Sequence, residues 1–140
     1  MNRSLSVLIA IINQAQSRRV VYCRVRKTKY MYQFLNILRQ NNFIYGYSGE
    51  SLGLEDKITV FFRFHKYRPL LHGIKQLSKS GHRRYLRKDR FRYLAQQMDP
   101  GQIYITASAA TSGMSTIKGL EAIAKLNYKH KCGELLSTVW

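Results

Sequence analysis

Hydrophobic positions in the first forty residues change from helical to strand spacing. Apolar residues recur every three or four positions in 5–16, which predicts an amphipathic helix. They recur at every second position in 20–26, which predicts a half-buried strand with a basic outer face. Thr28 is placed to cap a second helix, and the pair Asn41-Asn42 is placed to end it. The first elements are therefore α-β-α.

Two segments rich in aromatic and β-branched residues follow, at 43–47 and 58–64. The polar, glycine-containing stretch between them predicts a hairpin. The pattern then breaks near Pro69, because proline ends regular structure. We therefore expect an N-terminal α/β domain over residues 1–67 and a C-terminal domain over residues 68–140.

The pattern of the C-terminal half predicts mostly strands. A short helix is predicted over 93–98 and a strand over 102–106. Ser115 or Thr116 is placed to cap a further helix, and 133–140 reads as a last strand. The predicted class is α+β, with two small domains: an N-terminal α-β-α-β-β domain, and a C-terminal domain that is mostly β with a helix before the last strand.

The charge balance points to an anionic partner. The chain has 140 residues, with 24 Lys plus Arg against 7 Asp plus Glu, and a formal net charge of +17. Between Arg63 and Arg92, eleven basic residues accompany one acid. Like charges this dense repel each other unless a partner neutralises them. A hydrophobic fraction of 45% is enough for a core, so a folded, nucleic-acid-binding protein is expected.

Several classes of function are disfavoured by what the chain contains. Seven scattered carboxylates supply little material for acid–base catalysis, so we expect no enzyme and no small-molecule substrate. The four histidines lack ligand spacing, and Cys23 and Cys132 form no CxxC, so we expect no metal. No phosphate-binding glycine motif occurs, so no cofactor is expected. The longest apolar run, 7–12, is too short for a bilayer, and no membrane partner is expected.

The segment 106–116 carries short hydroxyl side chains and a glycine, without any acid. Short hydroxyls on an uncharged backbone can approach RNA closely and bond to its 2′-hydroxyls and phosphates. On composition alone, a flexible loop whose hydroxyls cap the next helix is the slightly better interpretation. The candidate RNA contacts here are Thr106, Ser108, Thr111, Ser112, Gly113, Ser115 and Thr116.

One segment resembles a known family. Residues 78–89 read Ser-Lys-Ser-Gly-His-Arg-Arg-Tyr-Leu-Arg-Lys-Asp. They are similar to the motif Ser-x-Pro-Gly-x-Arg-x-Tyr-x-Arg-Lys-Asp of the ribosomal protein S8 family, with Ser80 in place of the proline. Asn-Phe-Ile at 42–44 and Gly-Glu-Leu-Leu at 133–136 also look like this family, so the resemblance spans nearly the whole chain.

The resemblance implies a non-catalytic protein of two small domains, without a cofactor. Such a protein binds the central domain of small-subunit rRNA directly, supports its assembly and contacts neighbouring small-subunit ribosomal proteins. The alternative is a general basic RNA-binding or RNA-chaperone module outside the ribosome, which would be indifferent to RNA sequence and shape.

The resemblance also extends the set of candidate RNA contacts. In this family the C-terminal half makes the main contact, through a Ser-Thr-Ser triplet followed by Gly and Met, and the N-terminal domain braces it. That triplet aligns with 106–108, with 110–112, or with the segment that starts at Ser115. The further RNA-binding candidates are Ser78, Gly81, Arg83, Arg84, Tyr85, Arg87, Lys88, Asn13, Thr28 and Lys29.

The compartment is inferred from composition. Few acids, many tyrosines and the final Val139-Trp140 look organellar, and mitochondrial is the preferred interpretation over a bacterial or plastid origin. Family-like sequence begins almost at the first residue, so we expect no cleavable presequence.

Overall fold

The computed structural model describes residues 2–49, 57–85, 93–94, 96–97, 99, 101–108, 113–118 and 133–140. The chain divides into two compact units, Met1–Ile74 (unit 1) and Lys75–Trp140 (unit 2). The boundary expected from the sequence, after residue 67, lies seven residues before this division. The elements are α1 (Asn2–Ser17), β1 (Tyr22–Arg26), α2 (Lys29–Gln40), β2 (Ile44–Gly49), β3 (Lys57–Phe62), β4 (Phe64–His65), β5 (Arg68–Pro69), β6 (Ile74–Gln76), β7 (Ile103–Ser108), β8 (Gly113–Lys118) and β9 (Glu134–Val139).

Unit 1 is built on an antiparallel sheet in the order β1-β3-β2, with α1 and α2 contacting it. The helical spacing of 5–16 is confirmed, since Leu8 and Ile12 are fully buried. Alternation in β1 is also confirmed, with Val25 buried between exposed Arg24 and Arg26. The predicted hairpin is β2–β3. The core side chains of this sheet are Val25, Ile44, Ile58, Val60 and Phe62.

Thr28 occupies the position before α2 with extended backbone, as predicted, but its side chain makes no capping hydrogen bond. A capping hydroxyl would accept a hydrogen bond from the Met31 N–H. This N–H donates instead to the Thr28 backbone carbonyl at 3.1 Å. The Thr28 Oγ1 is consequently buried without a hydrogen-bond partner. The helix ends as expected, with Asn41 as its C-cap and Asn42 at a φ of 61°.

Helix α1 ends in a turn that normally contains glycine. Val20 N donates to Ala15 O at 3.1 Å, and Arg19 N donates to Gln16 O at 3.0 Å. This pair of bonds is the Schellman pattern, and Arg19 takes the left-handed position with a φ of 55°.

Strands β4 and β5 form a hairpin with a tight turn. Its strands pair Phe64 with Pro69 and His65 with Arg68, which leaves only Lys66 and Tyr67 between them. Both turn residues have positive φ, 47° and 66°. A two-residue hairpin requires this geometry, which Asn and Gly usually supply.

Unit 2 contains a four-stranded sheet in the order β6-β9-β7-β8. Strand β9 is flanked by β6 and β7, and all its residues are buried. Its register against β7 shifts between Ile105↔Ser137 and Thr106↔Leu135, so Leu136 is an extra, bulged residue. The Leu136 carbonyl accepts hydrogen bonds from the backbone N–H groups of residues 77 and 78.

The predicted helix start at Ser115 or Thr116 is wrong, because both residues lie within strand β8. Thr116 and Ile117 are β-branched, which favours a strand, and β8 pairs with β7 along its whole length. Ile117 and Lys118 lie in β8 as well, and the part of that predicted helix beyond residue 118 lies outside the described residues. The strand predicted at 102–106 is confirmed as β7, and the last strand is confirmed as β9. In the short helix predicted at 93–98, residues 93, 94 and 96 are helical and residue 97 lies in a turn.

Candidate nucleic-acid interface

The predicted hydroxyl loop is largely a pair of strands. Antiparallel pairing of β7 with β8 runs to Ser108↔Gly113, so only residues 109–112 join the two strands. Thr111 and Ser112 fall in that connection and lie outside the described residues. Ser108, Gly113 and Ser115 therefore lie on strands, close to the connection.

The two described threonines of this segment differ in position. Thr106 pairs with Ser115, and Thr116 pairs with Ile105. Because successive strand residues alternate between faces, Thr106 and Thr116 lie on opposite faces of the hairpin. Thr106 is fully buried, whereas Thr116 is half-buried. Thr106 thus belongs to the packed interior of unit 2.

Ser78 lies at the start of the basic segment 78–85 and is fully buried. Its Oγ donates a 2.7 Å hydrogen bond to Glu134 Oε1 and accepts one of 3.1 Å from the backbone N–H of Arg84. The Ser78 backbone N–H also donates to Leu136 O at 3.3 Å. Ser78, which the family resemblance places among the RNA contacts, therefore acts inside the protein by tying the basic segment to β9.

A tight turn follows Ser78. Lys79 and His82 exchange backbone hydrogen bonds of 3.1 and 3.0 Å, which leaves Ser80 and Gly81 at the two central positions. Gly81 has a φ of 85°. A type II turn requires this value at its second central position and favours proline at the first, which is where the family motif has proline and this chain has Ser80. Gly81 therefore sets the direction of the backbone that follows.

The three residues after this turn present a basic and aromatic surface. The side chains of Arg83, Arg84 and Tyr85 are exposed, and Tyr85 is 65% exposed. Their backbone is fixed, because Leu135 N donates to Arg84 O at 2.8 Å and Tyr85 forms a bridge with Glu134. Exposed side chains thus extend from a hydrogen-bonded main chain. Arg87 and Lys88 continue the run outside the described residues.

Sequence reasoning did not identify Glu134 as part of this site. It is separated from Ser78 by 56 residues, and neither residue has a local pattern that points to the other. The family motif and the Gly-Glu-Leu-Leu phrase were recognised separately. Their contact became apparent only from the pairing of the segment with β9.

The three N-terminal candidates have different roles. Asn13 Nδ2 donates to Ile74 O at 2.8 Å, and Asn13 Oδ1 accepts from Ile74 N at 3.0 Å, so both polar atoms of its amide bond to the protein backbone. The Thr28 hydroxyl is buried. Lys29 is the first residue of α2.

The Cys23 thiol is half-buried and free. Burial raises the pKa of the Cys23 thiol to about 11, so the thiol is neutral near pH 7 and a poor nucleophile or metal ligand. No group of three His, Cys, Asp or Glu that could hold a metal occurs among the described residues. Neither helix among them is long and apolar enough to cross a membrane.

The chain is similar to the small ribosomal subunit protein uS8 of Anaeromyxobacter dehalogenans (strain 2CP-C), with 26% identity over 134 residues, which cover 95% of this chain and 93% of the relative. The sequence profile of the family described as Ribosomal protein S8 matches residues 4–140. The motif at 78–89, the two-unit α+β fold and this match agree, and the chain belongs to the ribosomal protein S8 family.

Proposed function

We propose that this protein is a structural constituent of the small ribosomal subunit. In this role it binds the central domain of small-subunit rRNA directly, supports its assembly and contacts neighbouring small-subunit proteins. The observation that carries the proposal is the exposed Arg83, Arg84 and Tyr85 on a backbone that the buried Ser78–Glu134 hydrogen bond holds in place. The family match supports the same role.

The fixed backbone matters for affinity. A disordered basic segment would lose main-chain entropy, about 1–2 kcal/mol per residue, when it bound RNA. In this protein part of that entropy is already lost during folding, because the main chain of Ser78, Arg84 and Tyr85 pairs with β9 and the Arg84 N–H bonds to the Ser78 hydroxyl. The charges therefore meet phosphates at a smaller entropic cost.

We assign the specific contacts to the end of the β7–β8 hairpin. Ser108 and Gly113 form the last described pair, and Thr111 and Ser112 lie between them in sequence. Small hydroxyl residues allow the main chain to approach the shallow minor groove of RNA, where 2′-hydroxyls are displayed. Thr106, which is buried, supports the hairpin from inside, and Ser115 lies opposite it in the strand pairing.

The two surfaces of unit 2 have different roles in this proposal. The basic segment, including Arg87 and Lys88, supplies phosphate contacts, which position the protein without reading sequence. The hairpin supplies contacts that distinguish one RNA shape from another. In unit 1, Asn13 and Thr28 brace the fold, and Lys29 at the start of α2 adds a phosphate contact.

The test is a titration of the purified full-length protein against a central-domain rRNA helix and a size-matched unrelated hairpin, over a range of salt. We expect a preference for the first that persists at high salt. Arg83→Ala with Arg84→Ala should reduce the slope of log K against log salt by one to two, because each lost phosphate contact removes about 0.7–0.9 from the slope. Ser108→Ala with Thr111→Ala should weaken the preference and leave the slope unchanged.

Equal, steeply salt-dependent binding to both RNAs would contradict this proposal. It would favour the alternative, a general basic RNA-binding or chaperone module outside the ribosome, for which the net charge of +17 is sufficient. Equal slopes for both double variants would contradict the division of roles between the segment and the hairpin.

We also propose that the ribosome concerned is organellar, and mitochondrial in particular. The low acid content, the ten tyrosines and Ser80 in place of the motif's proline support this proposal. Immunodetection should find the protein with small subunits from purified mitochondria. Sedimentation with small subunits of another compartment would contradict it.

A further inference from the structure

Unit 1 carries a groove of about 630 Å³ lined by Arg19, Val21, Phe64, Lys66 and Tyr67. These residues come from the turn after α1, the approach to β1 and the β4–β5 hairpin, and all of them lie within unit 1. Volumes of about 300–1,000 Å³ are typical of sites for small ligands. The groove is therefore large enough for a single nucleotide.

The backbone around this groove is strained. Positive φ in a non-glycine residue is uncommon, and Asn tolerates it better than most residues. Four such residues occur in the described part of the chain, and three of the four line this groove; the four are Arg19, Asn42, Lys66 and Tyr67. Gly or Asn would adopt the same turns at lower cost. Folding alone therefore gives no reason for large side chains at these three positions, and strain of this kind clusters at functional sites.

The lining of the groove suits a base and its phosphates. Tyr67 is 94% exposed, and beside it Val21 is exposed and Phe64 is half-buried. An exposed ring next to an apolar floor is a stacking surface for a nucleobase. Arg19 and Lys66, both exposed, bring positive charge to the same groove. Cationic side chains of this kind contact phosphate oxygens.

The surrounding charge favours an anionic occupant. The described residues of unit 1 include no Asp or Glu, and the three acids in its sequence all lie between residues 50 and 56. An apolar protein segment seated here would bury the charges of Arg19 and Lys66 without compensation, which is costly. An RNA strand would neutralise them and stack on the ring.

We propose that this groove binds one unpaired RNA nucleotide, with its base stacked on Tyr67 and its phosphates beside Arg19 and Lys66. The site is a second RNA contact, on unit 1, in addition to the two surfaces assigned to unit 2. This proposal rests on the proposed function in one respect, that the nucleotide belongs to RNA.

The test uses the full-length protein and an oligouridylate of about eight nucleotides that contains 5-iodouridine. Irradiation should cross-link the oligonucleotide to Tyr67, as mapped by mass spectrometry. Affinity is measured in the Arg83→Ala, Arg84→Ala background, so that unit 2 does not mask the groove. We expect Tyr67→Asn to weaken binding by about five- to a hundredfold, the range for loss of one stacked base.

The stability of Tyr67→Asn controls for misfolding, and two further variants test whether any loss of affinity is specific to the ring at position 67. Asn accommodates positive φ, so Tyr67→Asn should leave stability unchanged or raised. Tyr67→Phe keeps the ring and should keep the affinity. Tyr45 is 76% exposed and lies outside the groove, so Tyr45→Asn should bind as the parent does.

Unchanged affinity in Tyr67→Asn, with cross-links elsewhere, would overturn this proposal and leave the proposed function standing. If Tyr67→Asn left RNA binding unchanged but removed a neighbouring protein from the small subunit, the groove would be a site for that protein. This result would also overturn the proposal. A cross-link at Tyr67 in a protein that shows no preference for central-domain RNA would support the groove and contradict the proposed function.

Discussion

Ser78 Oγ and Glu134 Oε1 are 2.7 Å apart in the interior of unit 2, and their hydrogen bond joins the basic segment 78–85 to strand β9. The same Oγ accepts the N–H of Arg84. One hydroxyl thus satisfies a buried carboxylate and fixes the main chain of an exposed cationic residue. Its substitution should affect both stability and RNA binding.

Ser78→Ala should lower the free energy of unfolding by about 1–3 kcal/mol, because a buried carboxylate and a backbone N–H each lose a partner. Urea unfolding of the two proteins measures this difference. Ser80→Ala, at an exposed position two residues away, serves as the control and should change stability by less than about 0.5 kcal/mol. Equal stabilities for Ser78→Ala and the parent would show that the hydroxyl does not hold the segment.

Ser80→Pro should stabilise the protein by about 0.4–1 kcal/mol, since proline restricts the unfolded chain and suits the first central position of a type II turn. Gly81 already supplies the positive φ that the next position requires. Thermal unfolding measures the gain. A lower melting temperature would show that the turn between Lys79 and His82 is of another type.

Asn13→Ala should destabilise the protein by about 1–3 kcal/mol. The variant removes both hydrogen bonds to the backbone of Ile74, and this part-buried peptide has to find other partners. Gln14→Ala changes the neighbouring, exposed amide and is the matched control. Similar losses in the two variants, measured by urea unfolding, would contradict the role given to Asn13.

Cys23 should react slowly with alkylating agents. Its pKa of about 11 in the folded protein, against an ordinary value of 9.0, reduces the thiolate fraction at pH 8 by about two orders of magnitude. In a Cys132→Ser background, iodoacetamide should modify the folded protein about a hundredfold more slowly than the urea-unfolded protein. Comparable rates would show that the thiol is not shielded.

The same shift predicts a pH dependence of stability. The folded state holds the Cys23 proton more tightly than the unfolded state does, so this contribution is complete below the unfolded pKa, near pH 9. It is lost as the pH rises towards 11. Cys23→Ala should therefore show a shallower fall in the free energy of unfolding between pH 9 and 11, and an identical fall in both proteins would contradict the shift.

Local patterns were sufficient for most of unit 1. One face of the helix around Leu8 and Ile12 is buried, and so is one face of the strand around Val25. The spacing of apolar residues along such a segment is sufficient to predict which face is buried. The predicted capping bond of Thr28 is absent because the Met31 N–H donates to another acceptor, the Thr28 backbone carbonyl.

Unit 2 was harder to predict because its contacts join distant segments. The prediction of a helix cap at Ser115 or Thr116 rests on the apolar residues at helical spacing that follow, because a hydroxyl residue before such a run is a common N-cap. Pairing with β7 decided the outcome, and no local pattern reports such pairing. The family motif predicts an RNA-contacting segment that starts at Ser78, but Ser78 is buried, and the exposed residues follow it.

The position of β9 in the sheet has a consequence for folding during synthesis. Strands β6, β7 and β8 precede β9 in the chain, yet β9 lies between β6 and β7. While the polypeptide is still being made, β6 has no neighbour in this sheet, and Ser78 has no Glu134 to bond. Unit 1, whose strands and helices are complete by Ile74, can fold on the nascent chain. The basic segment acquires its fixed shape only after translation has passed Val139, so unit 2 becomes competent to bind RNA last.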